Sequence, residues 1–124
     1  RLGVFKYSVE EGTAAARLTG AISEDEKERR WQEIMDLQCE ISRKKNEALI
    51  GSIQRVMIDG VDLESQKMTG RTQAHAPEVD GAVYVETCGP RPGQAVHAGK
   101  MIDVRITGAL DYDLIGEIID ANKN

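Results

Sequence analysis

The chain has 124 residues, of which 40% are hydrophobic and 30% are charged, and its formal net charge is −5. This composition is typical of one globular domain, with or without a small appendage, and no apolar run approaches the roughly 20 residues that a membrane-spanning helix needs. Two cysteines, Cys39 and Cys88, are too few for a disulfide scaffold and lack the paired spacing of a metal site. We therefore expect a cytoplasmic protein with free thiols, with neither a metal site nor a membrane partner.

The negative charge is concentrated in the second half of the chain. Residues 52–124 contain seven Lys and Arg against eleven Asp and Glu, a net charge of −4, whereas residues 1–51 have a net charge of −1. A domain that holds nucleic acid through its phosphates normally presents a basic face. The charge distribution therefore favours a basic protein over RNA as the partner of residues 52–124.

The first predicted segment covers residues 1–22. It begins with a strand-like run, continues through a turn at Gly12 and Thr13, and offers one or two helical turns within residues 14–18. It contains too little apolar material to fold alone, and the chain starts at Arg1 rather than at methionine. We therefore expect it to be the C-terminal edge of a larger domain.

A connecting helix is predicted for residues 23–51. Ser23 and Glu26 have the spacing of a capping box, in which the serine oxygen accepts from the amide of Glu26 and the glutamate reaches back. No Gly or Pro follows until Gly51, which is well placed to end the helix. Apolar residues recur at near-helical spacing at Trp31, Ile34, Leu37, Ile41, Ala48 and Leu49.

From Ser52 the apolar period becomes alternating, which predicts five strands. They are placed around residues 53–60, 67–73, 82–86, 102–106 and 112–119, with a bulge or close backbone approach at Gly70 and a turn at Gly108 and Ala109. Five short strands with glycine corners suggest a closed barrel, because closure removes exposed edges. The predicted fold is mainly β with one long helix: a small five-stranded antiparallel OB-like β-barrel over residues 52–120, followed by a polar tail at 121–124.

The connector between the second and third strands holds the candidate binding residues, because connectors are displayed at the surface by the scaffold. Glu78 and Asp80 lie two apart on an extended segment and could recognise a basic group, or could serve only turn chemistry. Arg71 could bind a carboxylate or phosphate in bidentate fashion, or pair with Glu78 or Glu86. Thr72 and Gln73 complete the set.

The residues themselves indicate no catalytic constellation. The sequence has no nucleophile elbow, phosphate loop or HExxH motif, and neither His75 nor His97 has a second ligand-type residue at metal spacing. Tyr84 and Tyr112 could stack on bases, although packing within the barrel is the simpler interpretation. These residues predict a binding module rather than an enzyme centre.

Two separated motifs carry a family resemblance. Residues 5–15 match the pattern F-x-Y-S-x-E-x-G-T-x-A, and residues 70–81 read GRTQAHAPEVDG. Together they resemble the C-terminal end of the radical-SAM methylthiotransferases, with residues 52–120 similar to the family's TRAM domain and residues 1–22 similar to the end of its radical-SAM domain. Residues 70–81 look like the branch that acts on ribosomal protein S-twelve, and Glu10 and Glu11 precede the Gly-Thr pair of the first motif. The branch that modifies tRNA adenosine usually has arginine-proline there.

The resemblance implies β-methylthiolation of an aspartate on that basic ribosomal protein, with S-adenosylmethionine and two 4Fe–4S clusters as cofactors of the parent enzyme. The family's cysteine motifs are absent from this chain, so we expect it to be non-catalytic and to bind no cofactor itself. Its partners would be the ribosomal protein and its own radical-SAM domain. The implied substrate-binding residues are Arg71, Thr72, Gln73, Glu78 and Asp80. Alternatives are an RNA-binding TRAM module of a tRNA adenosine methylthiotransferase, or a structural lid over the cofactor end of the parent.

Overall fold

A computed structural model of the chain describes residues 2–76, 80–86 and 96–119. The chain forms two compact units, Arg1–Ile41 and Ser42–Asn124. Of the helices in the described residues, none is both long enough and apolar enough to cross a membrane.

The first unit contains a short 3-10 helix, Ala15–Arg17, and most of helix α1, Glu24–Glu47. The predicted strand-like run at residues 2–5 is not a strand; the segment instead lies along the helix. The Trp31 indole N–H donates to the carbonyl of Val4 at 2.9 Å, and Lys27 Nζ donates to the carbonyl of Tyr7 at 3.1 Å. The ammonium of Lys27 also lies 5.6 Å from the centroid of the Tyr7 ring, a cation–π contact.

Helix α1 begins as half of the predicted capping box. The backbone N–H of Glu26 donates to Ser23 Oγ at 3.2 Å. The Glu26 carboxylate turns forward instead of back, and accepts from Arg29 and Arg30. These hydrogen bonds, Arg29 first, lower the pKa of Glu26 to about 2. The helix ends at Glu47, before the predicted boundary at residue 51, and Gly51 has φ 88°, the left-handed conformation that glycine adopts after helix ends.

The second unit is a closed five-stranded barrel. Its strands are β1 (Ile53–Val61), β2 (Met68–Arg71), β3 (Val83–Glu86), β4 (Met101–Ala109) and β5 (Leu114–Ile118). Their order around the barrel is β1–β2–β3–β5–β4, and β4 returns to β1. The predicted OB-like barrel is therefore confirmed. One detail of the prediction is wrong, because β3 and β5 pair in parallel rather than antiparallel.

The barrel is filled by alternating apolar side chains. Buried members include Val56 and Ile58 of β1, Val104 and Ile106 of β4, and Leu114 of β5. Alternate residues of the same strands face outward, so the period-two pattern of the sequence maps onto an inner and an outer face. Burial of this apolar set is the main stabilising term for the unit.

The close approach predicted at Gly70 is present, whereas the turn predicted at Gly108 is not. Gly70 is a point of close approach, as predicted: a Cβ there would lie 2.5 Å from Val56 Cγ1 and 2.6 Å from the Met57 carbonyl oxygen. Gly108 does not turn the chain, since β4 continues through Ala109. The β4–β5 register instead shifts between Ile106 and Gly108, an irregularity that accommodates the glycine within the strand.

Candidate functional site

The candidate site begins where β2 ends, at Arg71. Gly70 pairs with Ile58 and Arg71 pairs with Met57, so the arginine leaves the barrel beside the bulged part of β1. Its Nε lies 3.7 Å from Asp59 Oδ1, and its Nη2 lies 3.6 Å from Met57 Sδ. Arg71 therefore pairs with Asp59, a residue that sequence reasoning missed, and is half-buried against β1.

Thr72 and His75 close the next turn. The backbone N–H of Thr72 donates to His75 Nδ1 at 3.2 Å, and Thr72 Oγ1 lies 3.0 Å from the same nitrogen. In return, the His75 backbone N–H donates to the Thr72 carbonyl at 3.1 Å, and the Ala74 N–H donates to Thr72 Oγ1 at 3.2 Å. Thr72 is buried, and its side chain makes its hydrogen bonds within the loop. The three-residue Thr–His spacing was the signal available in the sequence.

Asp80 holds the far side of the loop. Its Oδ2 accepts from the backbone N–H of Ala76 at 2.7 Å, and its own N–H donates to the Ala76 carbonyl at 3.4 Å. Gln73, by contrast, is exposed on the first side of the loop. Glu78 lies outside the described residues. Of the five predicted residues, the structure thus places Arg71, Thr72, Gln73 and Asp80 around one loop.

The loop returns to the barrel through β5. The Ala82 N–H donates to Asp113 Oδ1 at 2.8 Å, and the Leu114 N–H donates to the Ala82 carbonyl at 2.9 Å. Gly81 makes this contact possible, since a Cβ there would lie 1.8 Å from the Tyr112 carbonyl oxygen. Asp113 is a second residue that sequence reasoning missed, and it fixes where β3 begins.

A second short loop joins β1 to β2 and is closed by Asp62. The Ser65 hydroxyl and backbone N–H both donate to its Oδ2. These two hydrogen bonds, the hydroxyl one first, lower the pKa of Asp62. The carboxylate therefore stays ionised at neutral pH while serving the turn.

The outer face of the barrel has its cations paired across neighbouring strands. Four of the five described Lys and Arg between residues 52 and 119 lie within 4.0 Å of a carboxylate: Arg55 with Asp103 (3.4 Å), Lys67 with Glu86 (2.7 Å), Arg71 with Asp59 (3.7 Å) and Arg105 with Glu117 (3.7 Å). In the same order, these pairs join β1 to β4, the residue before β2 to β3, β2 to β1, and β4 to β5. A phosphate backbone would have to compete with each of these carboxylates for its cation.

The described residues do not fit an iron–sulfur cluster. Within these residues, no three His, Cys, Asp or Glu side chains lie together as metal ligands would. Cys39, half-buried on α1, is the one described cysteine, and Cys88 lies outside the described residues. No chemical step can therefore be derived through such a cluster from the residues of this chain.

The described residues thus form a closed five-stranded OB-type barrel with cross-strand ion pairs on its outer surface. The chain belongs to the TRAM domain family, whose model matches residues 50–119.

Curated relatives extend the similarity across nearly the whole chain. A "Ribosomal protein uS12 methylthiotransferase RimO" from Natranaerobius thermophilus is 49% identical over 117 residues, covering 94% of this chain and 25% of the relative. Proteins of the same name from Syntrophotalea carbinolica and Acetivibrio thermocellus are each 41% identical, over 97% and 99% of the chain. The chain thus spans about a quarter of the length of these relatives.

Proposed function

We propose that this chain is the substrate-binding C-terminal region of a radical-SAM methylthiotransferase that β-methylthiolates an aspartate of ribosomal protein uS12. The relatives supply the enzyme class and the substrate through their name. The observation that carries the binding role is the pairing of the outer-face cations, which leaves the barrel's excess carboxylates to set its field. Such a surface suits a basic protein and disfavours phosphates.

The proposed recognition surface is the loop of Arg71, Thr72, Gln73, Glu78 and Asp80. Gln73 is exposed and can hydrogen-bond a partner directly, while Glu78 and Asp80 add negative charge. Thr72 stabilises the conformation of the loop through its contacts with the His75 ring. Arg71 holds the loop against β1 through Asp59.

The chemistry itself belongs to other parts of the parent enzyme. In this proposal a radical-SAM domain, a partner of this chain, holds S-adenosylmethionine and two 4Fe–4S clusters, which supply the radical and the sulfur. This chain contributes binding and orientation, and by itself it does not catalyse methylthiolation. A ribosomal substrate places the enzyme in the cytoplasm.

A binding experiment tests the loop. The 124-residue chain is immobilised, and purified uS12 is titrated over the wild type and a Glu78→Gln/Asp80→Asn double variant. Asparagine retains an oxygen that can accept from the Ala76 amide, so the double variant removes two charges while keeping this loop contact. We expect uS12 to bind the wild type and to bind the variant about threefold to tenfold more weakly, as the loss of two carboxylate charges predicts.

The matched control is Glu64→Gln/Asp111→Asn, which removes two exposed carboxylates from the β1–β2 and β4–β5 loops. This control should bind uS12 as the wild type does. Equal loss in both double variants would mean that only net charge matters and would remove the loop from the proposal. Failure of uS12 to bind the wild-type chain, with tight and steeply salt-dependent binding of tRNA, would favour the RNA-binding alternative.

A further inference from the structure

A second outward-facing surface lies next to the loop and uses none of its five residues. It is formed by β2, β3, β5 and β4, and its residues are the outward-facing partners of buried ones: Val83 and Val85 point into the barrel, so Tyr84 and Glu86 point out. On β5, Leu114 and Gly116 are buried, so Ile115 and Glu117 face the same way. We call this surface the tyrosine face; it adjoins the loop because Arg71 follows Thr69 by two residues.

The first row of the tyrosine face is apolar and aromatic. Tyr84 pairs with Thr69 on one side and with Ile115 on the other, and Ile115 pairs in turn with Gly108. Tyr84 is half-buried, and within the described residues its hydroxyl makes no hydrogen bond. The Tyr84 ring therefore stands between a threonine and an isoleucine, beside a glycine that adds no side chain. Because Tyr84 is only half-buried, part of its side chain is accessible at the outer surface.

The second row is charged and runs directly beside the first. Glu86 and Glu117 are paired in the parallel β3–β5 register, and each has a cation on its outer side, Lys67 for Glu86 and Arg105 for Glu117. The row thus reads positive, negative, negative, positive across four strands. All four side chains are substantially exposed, between 38% and 53%. Each carboxylate has more acceptor positions than one cation uses, so an incoming cation can share Glu86 and Glu117 without displacing Lys67 or Arg105.

We propose that the tyrosine face binds an arginine- or lysine-bearing segment of a basic protein partner, with the cation over the Tyr84 ring and hydrogen-bonded to Glu86 and Glu117. The complementarity is specific, because an aromatic face and two adjacent carboxylates both attract a cation, and an arginine guanidinium can use both at once. The same two carboxylates repel a nucleic-acid phosphate. The identity of the partner as uS12 rests on the proposed function, whereas the chemistry of the face does not.

The experiment measures the affinity of the 124-residue chain for two probes, purified uS12 and a short arginine-rich peptide. The test variants are Tyr84→Leu and the double variant Glu86→Gln/Glu117→Gln. Their matched controls are Tyr84→Phe, which keeps the ring, and Glu64→Gln/Asp111→Asn, which removes the same charge away from the face. Thermal unfolding of every variant is recorded alongside. If Tyr84→Leu does not fold, the double glutamine variant and its control carry the test.

We expect each test variant to bind both probes about threefold to tenfold more weakly, as loss of a cation–π contact or of charge-assisted hydrogen bonds predicts, with both controls close to the wild type. Binding of uS12 that is equal in wild type and test variants would overturn the inference while leaving the proposed function standing. If uS12 does not bind the wild type, the proposed function fails, and binding of the arginine-rich peptide still tests whether the tyrosine face binds cations. Peptide binding that is absent, or insensitive to Tyr84→Leu and the double glutamine variant alike, would also overturn the inference.

Discussion

Different kinds of interaction stabilise each of the two units internally. In the described part of the first unit, residues 2–41, no residue is buried. The contacts there include ion pairs, a hydrogen bond from the Trp31 indole to a backbone carbonyl, and lysine–aromatic contacts. In the described part of the second unit, nine apolar residues form a buried cluster inside a closed sheet. Surface ion pairs contribute about 0–1 kcal/mol each, whereas a buried aliphatic side chain contributes several times more. Most of the stability therefore resides in the barrel, and weak, solvent-facing contacts maintain the first unit.

The largest expected effect comes from truncating an isoleucine in each unit. Ile106→Ala removes a fully buried side chain from the barrel, and we expect it to lower the free energy of unfolding by about 3–5 kcal/mol. Ile34→Ala removes the same atoms from a position that is 39% exposed in the first unit, and should cost under about 1 kcal/mol. Urea unfolding followed by far-ultraviolet circular dichroism measures both. Similar losses at the two positions would contradict the assignment of stability to the barrel.

A smaller effect is expected from adding one methyl group at a crowded glycine. Gly70→Ala places a Cβ against Val56 and the Met57 carbonyl, and we expect a loss of about 1–3 kcal/mol from overpacking. Gly60→Ala is the control, because a Cβ at Gly60 has no atom within 4 Å. The midpoint of thermal unfolding reports the difference. If Gly70→Ala unfolds at the temperature of Gly60→Ala, β1 and β2 do not approach as closely as described.

The smallest expected effect is a pH dependence confined to the first unit. Because the pKa of Glu26 is lowered from 4.5 to about 2 in the folded chain, its ion pairs stabilise the helix start above pH 4.5. That contribution is lost as the pH falls from 4.5 through about 2. Amide chemical shifts of the first turn of α1, followed by NMR, should change over this window in the wild type. This pH-dependent change of the amide shifts should disappear in Glu26→Gln and remain in Asp25→Asn. If the change is the same in Glu26→Gln as in the wild type, another carboxyl group causes it.

Much of the barrel could be predicted because alternation along a single strand is a local property. A strand was predicted around residues 102–106 from its alternating pattern, and its apolar residues Ile102, Val104 and Ile106 are all buried. The parallel pairing of β3 and β5 could not be predicted in this way, since it depends on contacts distant in sequence. The end of α1 was placed too late for a related reason. The Asn46 side chain donates to the Leu110 carbonyl at 3.1 Å, a distant contact near the helix end that periodicity does not reveal.

The sequence located the loop between β2 and β3, but it did not reveal the contacts within that loop. The position of the loop followed from its polar composition between two apolar runs. The partners of Arg71 and Thr72 did not follow, because Asp59 lies on another strand and His75 acts through one ring nitrogen toward a backbone amide. Pairing of Arg71 with Glu78 or Glu86 was one alternative from the sequence, yet Glu86 pairs with Lys67. Charge counts along a sequence do not specify which opposite charges meet in space.

The most direct test of the proposed binding preference compares the affinities of the 124-residue chain for the two classes of partner. Fluorescence anisotropy would follow labelled uS12 and labelled tRNA with increasing concentrations of the 124-residue chain, each at several salt concentrations around physiological ionic strength. We expect saturable binding of uS12 and little binding of tRNA, because four of the five described Lys and Arg between residues 52 and 119 are paired with carboxylates. Tighter binding of tRNA than of uS12, weakening steeply as salt rises, would contradict this expectation.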